Sequence, residues 1–146
     1  MPSANCENTA KGKDFQVRAS DALYAHFGIR FALEVPIAIG RPAKNHYFDL
    51  VSNDSKFVGE CKNFCWTETG KMPSAKMASL NEAVLYLSLL PSETKRFIVL
   101  RRDTRDTHEK QKESLAEYYY RTYKHLLDGI FIIEFDVETG HIVEIV

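Results

Sequence analysis

The stretch His46-Tyr47-Phe48-Asp49-Leu50-Val51-Ser52-Asn53-Asp54-Ser55-Lys56-Phe57-Val58-Gly59-Glu60-Cys61-Lys62 decides how the chain folds. Strand formers fill its two ends, and Asn53-Asp54-Ser55 between them is turn chemistry. The sequence therefore predicts two strands, 46–51 and 56–62, folded back on each other. A turn centred between Asp54 and Ser55 sets Asp49 directly opposite Glu60. Side chains alternate along a strand, so Glu60 and Lys62 share one face and Cys61 points to the other. A register slip of one residue would undo that arrangement.

Upstream, Ile29 to Ile39 reads as a strand in which Phe31, Leu33, Val35, Ile37 and Ile39 alternate, and Gly40-Arg41-Pro42 breaks it. Before it, Asp14 suits the cap of a helix ending near Phe27. Phe15, Ala19, Ala22, Leu23 and His26 fall on one helical face, with Gly28 as the stop. Downstream, Trp66 to Pro73 is expected to be a loop. Ser74 to Leu90 is the strongest helix, with Met77, Leu80, Val84 and Leu87 on one side. The apolar run Phe97-Ile98-Val99-Leu100 predicts a strand covered on both faces. Arg101 to Lys112 mixes charges densely and reads as a solvated loop or helix start. A helix from Glu113 to Leu127 and strands at 129–136 and 141–146 complete the chain. Helix, three strands, helix, strand, helix, two strands implies an α/β fold with a mixed central sheet flanked by helices.

The composition bounds the function. The 146 residues fit one domain, and 45% hydrophobic content supports a core rather than disorder. Met1 to Gly12 is small and polar and lacks the apolar middle of a secretory signal. Residues 1–13 are expected to form a tail and 14–146 a single domain. No apolar run is long enough to span a membrane. Three cysteines at uneven spacing, Cys6, Cys61 and Cys65, are not a disulfide framework, which favours a cytoplasmic location. The 19 basic against 20 acidic residues argue against a wholly basic nucleic-acid binder but leave room for a local basic groove.

Like charges directly opposite each other on a sheet are destabilising. A divalent cation is one physical reason to hold Asp49 against Glu60. Mg²⁺ prefers oxygen ligands and is commonly held by one or two carboxylates, water and substrate phosphate. Lys62 on the same face could orient water or neutralise a transition state. The plainer reading is that both carboxylates face solvent and Lys62 pairs with one of them.

Phe48-Asp49-Leu50-Val51, followed by Glu60-Cys61-Lys62 with ten residues between Asp49 and Glu60, resembles the PD-(D/E)XK nuclease signature. That superfamily covers restriction-endonuclease-like and Holliday-junction-resolvase-like folds. Its core of helix, three-stranded meander, helix and strand matches Asp14 to Arg101 in order, about two-thirds of the chain. The resemblance implies a metal-dependent nuclease acting on DNA. Asp49 and Glu60 would hold Mg²⁺, with Mn²⁺ able to substitute. The backbone carbonyl of Cys61 would join the metal shell, and Lys62 would be the catalytic lysine. His46-Tyr47-Phe48 stands where the motif's proline is absent. A further acidic residue is often supplied from the first helix or first strand; Asp21 and Glu34 are the candidates, with Glu34 favoured. The alternative on the same fold is a non-catalytic nucleic-acid-binding or assembly module.

Around the pair, Lys71 and Lys76 flank the start of the second long helix and could hold a phosphate strand. Trp66 could stack on a base, although a partly buried packing role suits it better. Lys76, Ser79 and Tyr86 form a polar stripe on that helix. The five histidines, 26, 46, 108, 125 and 141, show no zinc spacing with Cys61 and Cys65. Action on both DNA strands would call for a homodimer or a larger partner protein.

Overall fold

The computed structural model describes residues 9–107 and 111–146. Its elements, in chain order, are α1 (Thr9–Phe27), β1 (Phe31–Ile39), β2 (Lys44–Ser52), β3 (Phe57–Lys62) and α2 (Ser74–Ser88). They continue with β4 (Lys95–Arg101), β5 (Thr104–Asp106), β6 (Lys112–Ser114), α3 (Leu115–Leu127), β7 (Phe131–Phe135) and β8 (Ile142–Ile145). Six strands form one mixed sheet in the order β1-β2-β3-β4-β7-β8, and β5 and β6 pair separately. β1, β2 and β3 form an antiparallel meander, β3, β4 and β7 run parallel, and β8 returns antiparallel at the far edge. The α/β class and the mixed sheet agree with the expectation from the sequence.

The chain steps from β3 to β4 to β7 in one direction. A common crossover hand therefore puts α2 and α3 on the same face. Met77, Leu80, Val84 and Leu87 of α2 join Leu115 and Tyr119 of α3 over Ile98, Leu100 and Ile132. α1 covers the opposite face, where Phe15, Ala19 and Leu23 meet Leu50, Phe97, Val99 and Ile133. β4 is thus apolar on both sides, as a parallel strand between helical layers must be.

The hairpin turn fixes the register of β2 on β3. Asp54 Oδ1 accepts hydrogen bonds from Ser52 Oγ and from the Lys56 amide, and Ser52 Oγ accepts one from the Phe57 amide. Ser55 adopts φ 59° at the corner. Leu50 consequently pairs with Gly59 and Val51 with Val58, the register that sets Asp49 opposite Glu60.

Gly59 is required by contact rather than by its backbone angles. A Cβ there would lie 2.2 Å from the Phe97 ring. Phe97 is buried and packs edge-on against Phe31, so it has little room to retreat. Gly59→Ala is expected to lower stability by about 2 kcal/mol or more in urea titration, at the upper part of the overpacking range. An unchanged midpoint would show that the ring can move aside.

Four details differ from the sequence expectation. α1 starts at Thr9, so Asp14 lies inside it and residues 9–13 are not tail; residues 1–8 lie outside the described chain. Ala10 and Lys11 are good helix formers, and one internal glycine, Gly12, costs only about 1 kcal/mol. His26 is exposed rather than on the buried face of its helix. The charged 101–112 segment contains β5 and the start of β6 rather than a simple loop; His108, Glu109 and Lys110 lie outside the described residues. Cys65 is disulfide-bonded although the cysteine pattern gave no framework, whereas Cys61 is a free thiol. No helix among the described residues is long and apolar enough to cross a membrane.

Candidate active site

The pleat of two adjacent strands inverts beside Asp49. Phe31 of β1 and Leu50 of β2 pack on the α1 side, while Val35, Ile37 and Phe48 pack on the α2 and α3 side. Residues two or four apart share a face in a regular strand, so these pairs reveal a break. The β1–β2 pairing runs from Leu33–Leu50 to Val35–Phe48 and skips the Glu34–Asp49 level. Glu34 takes φ 52°, left-handed backbone that is strained for a side chain with a Cβ.

At this break two carboxylates replace backbone ladder contacts. Asp49 Oδ2 accepts the Cys61 amide at 2.7 Å, and Glu60 Oε2 accepts the Asp49 amide at 3.0 Å. Asp49 Oδ1 accepts from Gln16 Nε2 of α1 at 3.0 Å, and Glu60 Oε1 lies 2.8 Å from His46 Nε2. Each of the four oxygens therefore has a backbone, amide or imidazole partner, and the two carboxyls also lie within hydrogen-bonding reach of each other. A carboxylate offers about four lone-pair directions, so both groups keep acceptor capacity.

The pair is electrostatically expensive. Glu60 is only 5% exposed. No lysine or arginine among the described residues forms an ion pair with either carboxylate. Burial, then the adjacent Glu60 charge, pushes the Asp49 carboxyl up to about 7. Burial raises Glu60 as well, against the hydrogen bond from the Asp49 amide. One proton is therefore shared near neutral pH, as expected for close carboxylates. Burial also lowers His46, so its contact with Glu60 at pH 7 is a hydrogen bond from a neutral ring rather than an ion pair. Burial pushes the Cys61 thiol well up, which disfavours its thiolate form.

Lys62 stands beside the pair, its Nζ hydrogen bonded to Ser79 Oγ at 3.3 Å. The polar stripe of α2 does face this region. Ser79 meets Lys62, Tyr86 stacks on His46, and Lys76 lies 4.9 Å over the Phe64 ring. Lys62 approaches the same ring at 5.8 Å. α2 begins after Pro73 with no side-chain cap and no acidic residue in its first turn. Lys71 is exposed on the preceding loop, which its own backbone closes on Thr67.

Three expectations are not met. Trp66 cannot stack on a base: it is 3% exposed and its indole N–H donates to Asp103 O. Arg105 covers its ring at 3.7 Å, so part of the charged segment is packing rather than solvated loop. Glu34 lies level with Asp49 in the register, but its side chain is exposed and forms no hydrogen bond or ion pair with Asp49 or Glu60. Asp21 is likewise exposed on α1. The surface reading of the acidic pair also fails, because Glu60 is buried.

Gln16 and His46 were not singled out from the sequence. Gln16 flanks the Phe15–Ala19–Leu23 face, and only the docking of α1 across the sheet reveals its target. His46 is three residues from Asp49, which in a regular strand would put it on the opposite face. Only the pleat inversion brings both to Glu60.

Among the described residues no three His, Cys, Asp or Glu side chains cluster as a metal cage. A closed zinc-type site would need such a cluster. Mg²⁺ needs only one or two carboxylates beside water and phosphate. The chain matches no protein-family model, no curated protein and no solved structure.

Proposed function

We propose that this chain is a Mg²⁺-dependent PD-(D/E)XK nuclease with a restriction-endonuclease-like fold, hydrolysing phosphodiester bonds in DNA. The observation that carries the reading is the Asp49–Glu60 pair, Glu60 buried and Asp49 half-buried, held by four protein donors with no lysine or arginine among the described residues in an ion pair with it. The element order supports it: α1, the β1–β3 meander, α2 and β4 form the αβββαβ core, with α3, β7 and β8 added after it. The oxygen-only donor set fits a hard divalent cation.

Asp49 and Glu60 would hold the ion, and the Cys61 carbonyl lies between Glu60 and Lys62 to complete the protein side. When bound, the ion supplies positive charge against the scissile phosphate and acidifies water. Lys62, steadied by Ser79, places an ammonium where negative charge develops on phosphorus oxygens. Lys76 and Lys71, near the open start of α2, contact neighbouring phosphates. Gln16 and the Cys61 amide keep the Asp49 carboxylate from turning away.

Purified protein should nick supercoiled DNA in Mg²⁺ or Mn²⁺ and lose that activity in EDTA. DNA binding with no cleavage under any divalent metal would favour the non-catalytic module. Reversing both Lys71 and Lys76 to Glu should weaken DNA binding while leaving Mn²⁺ binding intact, with a shallower salt dependence.

A further inference from the structure

We infer that His46, locked by Tyr86, is a positioning residue that holds Glu60 ready to bind the metal ion; the inference rests on the nuclease reading. The His46 ring stacks on Tyr86 at 3.9 Å with 13° between planes. Its other contact is edge-on to Phe48 at 4.6 Å and 78°. Two aromatic contacts from different elements fix both the ring's place and its plane. The ring then presents Nε2 to Glu60 Oε1 at 2.8 Å.

An ionised Glu60 can only accept, so Nε2 carries the hydrogen and the tautomer is set by the contact. The second Glu60 oxygen is fixed by the Asp49 amide at 3.0 Å. The carboxylate plane is therefore defined at both ends before any ion arrives. Glutamate has three side-chain torsions, and without His46 one buried oxygen would lose its donor and gain freedom. Donors behind metal-binding carboxylates typically contribute about 10–100-fold in metal affinity.

The test is Mn²⁺ titration calorimetry on the full chain without DNA, followed by cleavage at saturating Mn²⁺. His46→Ala should weaken Mn²⁺ binding at least tenfold. His46→Gln should restore it to within about threefold, because the glutamine amide reaches the place of Nε2 and donates the same hydrogen bond. Tyr86→Leu should fall between them. At saturating Mn²⁺ the kcat of His46→Ala should stay close to wild type, which a collapsed site would not allow. Equal Mn²⁺ affinity in wild type and His46→Ala overturns the inference, and so does a kcat that stays lost at saturation. A wild-type protein that binds no Mn²⁺ overturns the nuclease reading itself.

Discussion

Asp49→Asn should make the metal-free protein more stable than wild type above pH 7, by on the order of 4 kcal/mol. The sign follows from the direction of the shift. The Asp49 carboxyl lies near 3.8 when unfolded and about 7 in the fold. Between those values the native state holds a proton that the unfolded chain has released. Stability therefore falls as pH rises through that window and stays low above it. Glu60, raised in the same direction, adds to the slope. Three tenfold steps in proton affinity at about 1.4 kcal/mol each give the magnitude.

Asparagine keeps the shape and loses the titration. Its Oδ1 can still accept the Cys61 amide, and its amide can donate to Gln16 if that side chain turns its own amide round. Urea titrations in EDTA at pH 5 and pH 8 measure the difference. Wild type should lose several kcal/mol between them, and the variant much less. Parallel losses in both would show that Asp49 does not carry the buried proton. Mg²⁺ at pH 8 should stabilise wild type and not the variant, because a ligand that binds only the folded state shifts unfolding by mass action. Ion binding near pH 7 should also release about one proton.

The β2–β3 register is legible because it rests on local chemistry. Ser52, Asp54 and Ser55 bend the chain within a few residues, and the turn alone sets Asp49 against Glu60. β4 is legible for a similar reason, since four consecutive apolar residues admit few other placements. The rest of the site depends on tertiary events. The strand pattern of 31–39 looks regular, yet the pleat turns over at Glu34 and exposes it. The acidic residues nearest in expectation, Asp21 and Glu34, are displaced as partners of Asp49 by an uncharged one, Gln16. Arg105 shows the limit of charge patterning. Its guanidinium covers Trp66 and bonds Gly70 O at 2.7 Å and Glu113 at 3.3 Å, so a dense charge run becomes a packed layer.

The balance of 19 basic and 20 acidic residues takes on a narrower meaning beside this site. Asp49 and Glu60 do not repel a phosphate strand as two full charges while they share a proton, and a bound cation would reverse their local sign. The basic groups that matter are then local ones, Lys62 and Lys76 around Phe64. Such a site would bind DNA with modest, salt-sensitive affinity unless a second copy or larger partner adds contacts.

Lys62→Met should lower cleavage by at least 100-fold while leaving Mn²⁺ binding unchanged or tighter. The ammonium is hydrogen bonded to Ser79 rather than paired with either carboxylate, so the acidic pair does not need it to keep its shape. Removing a cation beside a cation site relieves repulsion, which sets the sign for metal affinity. On the proposed nuclease reading, what disappears is a preorganised donor aimed at charge that grows on the scissile phosphate, and the loss of one such donor costs about 10²–10³ in kcat. Methionine keeps most of the unbranched stem and gives up the ammonium and its approach to the Phe64 ring, so lost packing is a small part of the change. Lys62→Arg should rescue poorly, because the planar guanidinium cannot occupy the space of a compact ammonium beside Ser79. Asp49→Ala should behave differently, losing metal binding and cleavage together. Single-turnover cleavage at saturating Mn²⁺, paired with calorimetry, separates the two. If Lys62→Met instead weakens DNA binding and leaves the single-turnover rate intact, the lysine serves affinity and the non-catalytic module becomes the better account. Cleavage that survives in both Lys62→Met and Asp49→Ala would remove the pair from the chemistry altogether.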